Sequence, residues 1–329
     1  MKLHPDRRRT IWKPLRRDYG KKIRNVNTNK LKNSGVSWAP WLVPALLFYV
    51  FFMAWPLLDS LRLSLYTGSA GTGRTFVGLN NFIQLFTVER YAERYRGAFA
   101  HTVIFFVIHM VVQNCLGILF AVMLTNKSMR GRALYQTVIF LPVTLAVLVT
   151  GYLWKLLLNP VWSGPFLQKI GLEFLARPWL GDKTTALLCV SLVSCWQWMG
   201  IPVMMFVAAL RGISEDYIEA ASIEGASNAQ IFWRIKLPLI KPVAGMIAIL
   251  TFVNNFNAFD VVFAMTNVNG APNYATDLIG TLFYRTGIAG QHPVGIPDPG
   301  MGAAIATITF IVLCLGVIPT LRATQRGEN

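Results

Sequence analysis

Six apolar stretches, near Trp38–Leu65, Ala98–Thr125, Leu134–Leu158, Thr184–Leu210, Pro242–Thr266 and Met301–Leu321, decide what this chain can become. Each is long enough to cross about 30 Å of hydrocarbon as a helix. Inside lipid every backbone N–H and C=O must find its partner within the protein, and a helix achieves this within one segment. The expected fold class is therefore an all-α polytopic membrane protein with six transmembrane helices. Composition agrees, with 54% hydrophobic and only 14% charged residues among 329, which argues against a set of soluble domains. The first stretch follows a basic flank but is too long for a cleaved leader and lacks a small-residue cleavage site, so it is expected to remain as a signal-anchor.

A net charge of +16 raises the question of nucleic acid, yet the charge is concentrated: residues 1–35 hold twelve Lys and Arg against two Asp. This arm reads as a cytoplasmic anchor that follows the positive-inside bias and touches anionic membrane lipid. No nucleic acid partner is expected, because Met1–Gly35 offers no stacking surface or docking helix. With the arm inside, six crossings also place Lys127, Arg130, Arg132, the polar segment 214–242 and the tail 322–329 inside. The expected organisation is thus a basic arm (1–35), a six-helix domain (36–321) and a short cytoplasmic tail (322–329). Cys115, Cys189, Cys195 and Cys314 all lie in apolar stretches without a CxxC pair, and the four histidines show no ligand spacing. Neither a metal site nor a cofactor is expected in this chain.

Between the fourth and fifth apolar stretches lies a polar island, Ser214–Pro242, that reads as two short helices with a hinge. Ser214 suits an N-cap, and Glu215 and Asp216 put negative charge where the first helical turn favours it. That helix should run to about Glu224 and stop at Gly225, which enters the left-handed region at little cost. Ser227 and Gln230 have the spacing of a capping box for a second helix, which carries Arg234 and Lys236 and is expected to stop at Pro238. Tyr217, Ala220, Ala221 and Glu224 share one face of the first helix, with small alanines that permit close approach.

Glu219-Ala220-Ala221, Gly225 and Ile235-Lys236-Leu237-Pro238 stand at the spacing of the EAA loop, and the island resembles the coupling helix of permease subunits of bacterial ATP-binding-cassette (ABC) importers. Phe76-Val77-Gly78-Leu79-Asn80-Asn81-Phe82 resembles the FVGLxNF segment of the carbohydrate-uptake (MalF/UgpA-like) branch. Thr266–Pro272 with Thr276 resembles that family's LTxGGPxxxT turn, with Ala271 in place of the second glycine. The resemblance implies a permease that pairs with a second permease to enclose a sugar pathway in the bacterial cytoplasmic membrane, with both termini inside. It also implies two cytoplasmic ATPase subunits that bind Mg-ATP, and an extracytoplasmic sugar-binding protein. The chain itself would not be an enzyme. Glu219 would anchor the docked helix, Ala220 and Ala221 would form its contact surface, Gly225 would aim the second helix, and Leu237 and Pro238 would complete the loop. A non-sugar solute carried by the same machinery is one alternative; an ATP-independent secondary transporter is the other, and it lacks the repeated broken-helix pattern that class shows. Gly68–Thr75 nearly fits a phosphate-binding loop, but Arg74 replaces the lysine and no strand-to-helix context surrounds it.

The fifth stretch carries an aromatic series, Phe252, Phe256, Phe259 and Phe263, and a polar series, Asn254, Asn257 and Asp260, each at helical spacing. Polar groups are costly in lipid and belong against a cavity or another helix. Asn254, Asn257, Asp260 and Phe256, with Trp198 from the fourth stretch, are the candidate substrate-path residues; interhelical hydrogen bonding is the alternative. Thr102, His109 and Gln113 share a face of the second stretch, and Ser191, Ser194, Cys195, Trp198, Pro202 and Met205 share a face of the fourth, as packing or as path. Pro202, with Gly200 beside it, should bend the fourth helix. Gly302 and Ala306 suit close packing near the start of the sixth, against a second permease or within the chain. Phe166–Ile170 can form a short amphipathic helix, and Gly290–Pro299 should enlarge an outer loop.

Overall fold

The structure is a computed structural model that describes residues 39–68, 73–126 and 128–325. The basic arm 1–35, residues 69–72 of the Gly68–Thr75 segment, Lys127 and residues 326–329 lie outside the described residues. Among the described residues, four helices are long and apolar enough to cross a membrane: Trp41–Leu63, Glu89–Thr125, Asn228–Phe256 and Pro299–Arg322. Two bent helix pairs, Arg132–Thr144 with Val147–Leu157 at 97° and Lys183–Trp198 with Gly200–Arg211 at 44°, bring the candidate spans to six when each pair counts as one, the third and the fourth span. The chain divides into two units, Met1–Asp59 and Ser60–Asn329. Most of the first span, including a π turn at Val50–Ala54, belongs to the first unit.

In the second unit the spans are joined by three apolar clusters. Ala121, Leu124, Phe206, Leu210 and Ile240 hold the second, fourth and fifth spans together at the end that carries the polar island. Leu85, Tyr95, Phe256, Ile279, Met301 and Ile305 close the opposite end. Phe105, Val190, Val262, Met265 and Leu278 fill the space beside the second and fourth spans. The FVGLNNF segment has a local logic. Thr75–Phe76 pairs antiparallel with Tyr66–Thr67, Gly78 turns the chain at φ +57°, and the helix Asn80–Thr87 follows. Buried Asn81 then donates to the carbonyls of Ser64 and Tyr66, at 2.8 Å each.

The bend in the fourth span is where Pro202 and Gly200 put it. Proline has no N–H for the carbonyl four residues back, and that carbonyl, Trp198 O, instead accepts from Gln113 Nε2 of the second span at 3.1 Å. A Cβ at Gly200 would stand 2.9 Å from Phe140 Cα, so glycine is what lets the third and fourth spans touch. The third span departs from the continuous helix expected over Leu134–Leu158. It tightens to a 3₁₀ turn at Leu141–Thr144, opens at Leu145 and Ala146, and resumes at Val147. Gln197 Nε2, buried in the fourth span, donates to the freed Leu145 carbonyl at 3.1 Å. Side-chain amides from neighbouring helices thus take over backbone groups that each break exposes.

Two boundaries of the fifth span differ from expectation. Pro238 does not stop the helix, which runs unbroken from Asn228 to Phe256. A π turn at Phe232–Lys236, closed by Leu237 N–H to Phe232 O, precedes the proline and widens the helix just where its ring would meet the preceding turn. The far end comes early, at Phe256 rather than Thr266. Asn257 Nδ2 bonds back to Val253 O at 2.9 Å, Ala258 and Phe259 leave the helical path, and a separate helix Asp260–Thr266 begins. The four phenylalanines therefore do not make one stripe: Phe252 and Phe256 pack on Phe106, whereas Phe259 and Phe263 pack on Tyr284.

The connection from Asn267 to Asp298 is held by a buried ion pair. Arg285 and Asp277, both essentially without exposure, meet in a bidentate contact of 2.8 and 2.7 Å. Arg285 also donates to Val268 O and His292 O, and Thr281 Oγ1 donates to Asp277 Oδ1. Thr276 Oγ1 bonds Thr266 Oγ1 at 2.8 Å and so closes the turn that resembles LTxGGPxxxT. Gly302 packs against Gly287 of this connection, so its close approach is made within the chain. The helix Pro160–Lys169, capped by the Asn159 side chain, includes the short amphipathic segment expected there.

Candidate functional site

The polar island forms a knob with three local locks. Ser214 Oγ accepts from Asp216 N, and the helix Glu215–Ile223 follows. At its end Gly225 N–H bonds Ser222 O and Ala226 N–H bonds Ala221 O, the paired bonds of a Schellman stop, with Gly225 at φ +82°. Ser227 and Gln230 then close a reciprocal capping box, at 3.3 Å from Gln230 N to Ser227 Oγ and 2.8 Å from Ser227 N to Gln230 Oε1. The helix buries none of its residues: Glu219 and Ala220 are exposed, Ala221 is half-buried, Tyr217 is 60% exposed and Ile223 87%. A nine-residue helix is marginal in water by itself. This one is set by its caps and presents most of its surface, with Ile218 and Ala221 half-buried. Leu237 and Pro238 lie on the next helix, beyond the π turn, where Leu237 packs on the cluster that holds the spans at this end.

The second feature is a cavity of about 360 Å³ among the second, third, fourth and fifth spans. Trp198, Asn254, Asn257 and Asp260 all line it, brought together because the fifth span ends at Phe256 and the chain doubles past the kink of the fourth. Phe256 does not line it; it is buried on the opposite side against Phe99 and Phe106. Phe259, from the aromatic series, lines the cavity in its stead. Among the described residues neither the Asn254 amide nor the Asp260 carboxylate has a hydrogen-bond partner, and both are exposed to the cavity.

Part of the lining is a bonded layer that periodicity indicated only as shared faces. His109, in a π turn of the second span, meets Ser194 Oγ at 3.0 Å through Nε2 and Phe105 O at 2.8 Å through Nδ1. Gln113, Ser194, Pro202 and Met205 line the cavity too, whereas Thr102, Ser191 and Cys195 are buried in packing. Asn114, Thr251 and Asn255 were not picked out by sequence reasoning. Asn114 Nδ2 donates to Thr251 Oγ1 at 3.1 Å and Asn255 Nδ2 to Thr251 O at 2.7 Å, joining the second and fifth spans. The available signal was Thr251 one turn before Asn254 and Asn255.

Chemically, the lining offers unengaged amide and carboxylate oxygens together with the rings of Trp198 and Phe259. Among the described residues the lining contains no Lys or Arg. Such a surface suits an uncharged ligand that carries both hydroxyls and C–H faces.

The chain is 29% identical over 308 residues to the multiple sugar-binding transport system permease protein MsmF of Streptococcus mutans serotype c, covering 92% of this chain and all of that protein. It is 34% identical over 260 residues to the sn-glycerol-3-phosphate transport system permease protein UgpA of Yersinia pestis, covering 77% and 85%. Its fold is that of a chain in a bacterial ABC transporter involved in the import of the acidic polysaccharide alginate, with a TM-score of 0.75 at 20% identity over 91% of this chain and 98% of that one. The family of binding-protein-dependent transport system inner membrane components matches residues 113–322, which takes in the cavity lining apart from Phe105 and His109, the kinked fourth span and the whole capped knob. By that match and by its multi-span helical fold, the chain belongs to the inner-membrane permease components of binding-protein-dependent transport systems.

Proposed function

We propose that this chain is one of a pair of permease subunits in an ABC importer for a sugar or oligosaccharide, driven by separate ATPase subunits that dock on the Ser214–Lys236 knob. The observation that carries this reading is the knob itself: a capped helix with no buried residue, held by a left-handed glycine, inside the matched family region. Tyr217, Glu219, Ala220 and Ala221 would enter a cleft of the ATPase, with Gly225 fixing the angle to the fifth span. Mg-ATP would bind only in those partner subunits. Closure of the ATPases would then push the fifth span, and the breaks in the third and fourth spans would let the helices move around the cavity. The orientation follows from the same assignment: the knob and both termini face the cytoplasm, and the Asn267–Asp298 connection faces the extracytoplasmic binding protein. In the cavity, Asn254, Asn257 and Asp260 would meet sugar hydroxyls while Trp198 and Phe259 cover C–H faces.

A second reading is import of a phosphorylated small polyol, favoured by the 34% identity to a relative named for sn-glycerol-3-phosphate transport. The absence of Lys and Arg from this chain's cavity wall speaks against it. The test is ATP-dependent uptake by cells lacking and then regaining this gene, with labelled neutral oligosaccharides and labelled glycerol phosphate side by side. Restored uptake of a neutral sugar supports the proposal, and restored uptake of glycerol phosphate alone replaces it with the second reading.

A further inference from the structure

Among the described residues, two titratable side chains line the cavity, His109 and Asp260. They differ in a way that matters for a passing solute. His109 is buried and committed at both ring nitrogens, to Ser194 Oγ and Phe105 O. Asp260 is exposed to the cavity and its carboxylate has no hydrogen-bond or ion-pair partner among the described residues. No Lys or Arg of the lining offsets it, and the amides of Asn254 and Asn257 beside it are neutral. A carboxylate is acceptor-only, so it can take hydroxyl donors but offers none to an anion. We infer that Asp260 acts as a charge filter on the pathway: it admits neutral, hydroxyl-rich solutes and cations, and disfavours anionic ones such as uronic acids or sugar phosphates.

This inference rests on the cavity's being the solute path, and it names the residue that sets the charge class. The bland account of Asp260 is that an aspartate in the first turn of the helix Asp260–Thr266 complements the helix dipole. That account predicts an effect on stability but none on the sign of what enters. A charge-resolved measurement separates the two.

The experiment places one reactive thiol in the cavity with Asn257→Cys, after replacing Cys115, Cys189 and Cys314 by serine. Cys195 is only 1% exposed and stays; the same chain without Asn257→Cys gives the background. The intact importer in membranes is treated with a cationic and an anionic methanethiosulfonate of similar size, and the two labelling rates are compared. The rate ratio, cationic over anionic, should exceed that of the same reagents on a small free thiol and should fall about tenfold when Asp260→Asn is added, as expected for removal of one nearby charge at moderate screening. Asp260→Glu should keep the ratio. An unchanged ratio with Asp260→Asn overturns the filter, and so does a thiol at 257 that neither reagent reaches. Because labelling requires neither sugar nor ATPase docking, these outcomes stand apart from the uptake test above.

Discussion

Replacing Gly225 isolates what the knob does from what the membrane domain does. Gly225 sits at φ +82° with open space where a Cβ would go, so a side chain there clashes with nothing around it. The cost is confined to the backbone. A residue with a Cβ held in the left-handed region costs about 1–2 kcal/mol, alanine near the low end and a β-branched residue at or above the high end. At about 1.4 kcal/mol per tenfold, Gly225→Ala should depopulate the capped geometry roughly fivefold and Gly225→Val about thirtyfold or more. Gly225→Asn should stay within about twofold, since asparagine tolerates this conformation. The two stop bonds, from Gly225 to Ser222 and from Ala226 to Ala221, are what the valine variant gives up. None of the clusters that hold the spans contains Gly225, so insertion and expression should be normal throughout the series. The assay is ATP-dependent uptake at matched membrane abundance, with the order glycine, asparagine, alanine, valine. Normal uptake by Gly225→Val at normal expression would refute the reasoning.

Other consequences follow from particular contacts. Ser227→Ala removes one half of the capping box and should weaken coupling by about 1 kcal/mol, read as a partial loss of uptake with an unchanged thermal midpoint of the detergent-purified complex. Arg285→Met strands the buried Asp277 carboxylate and should cost about 3–5 kcal/mol, seen as a large drop in that midpoint, with the added change Asp277→Asn recovering part of it. Gly200→Leu forces a side chain against the Phe140 backbone and should abolish stable accumulation, measured by quantitative blot against Gly225→Ala. Partial burial first, and then the nearby guanidinium groups of Arg94 and Arg285, hold the His292 imidazole below its ordinary value. The unfolded loop therefore binds the proton more readily, so the loop should lose protection as pH falls through about 6.5; hydrogen exchange across 286–298 reads this, and His292→Gln should flatten it.

What was legible in the sequence was local chemistry. Ser214, Gly225, Ser227 and Gln230 specify caps through neighbours within six residues, and the structure has each of those bonds. Apolar length located four spanning helices and the two bent pairs for the same reason, since hydrocarbon thickness acts on each segment separately. The misread features depend on contacts between distant segments. The fifth span ends at Phe256, within the polar run Asn254–Asp260, and Gly280 stands close to the Ala258 carbonyl just beyond it. Pro238 is tolerated because of a π turn that composition does not reveal. The break at Leu145 is sustained by Gln197, a glutamine of another span. Asp277 and Arg285 are eight residues apart with nothing in their spacing to join them, and only the folded connection does so. In the cavity, the polar series of the fifth span was visible, but Phe256 turned away once the helix ended beneath it.

The most direct test of the central claim is to purify the tagged chain from native membranes, wild-type and Glu219→Lys, and to identify and assay what comes with it. If the exposed helix Glu215–Ile223 is the docking element, the wild-type chain brings down a second permease and an ATPase that hydrolyses ATP. Glu219→Lys then keeps the permease and loses the ATPase. A wild-type chain that comes down alone from intact membranes, or a Glu219→Lys chain that retains its ATPase in full, would contradict the account.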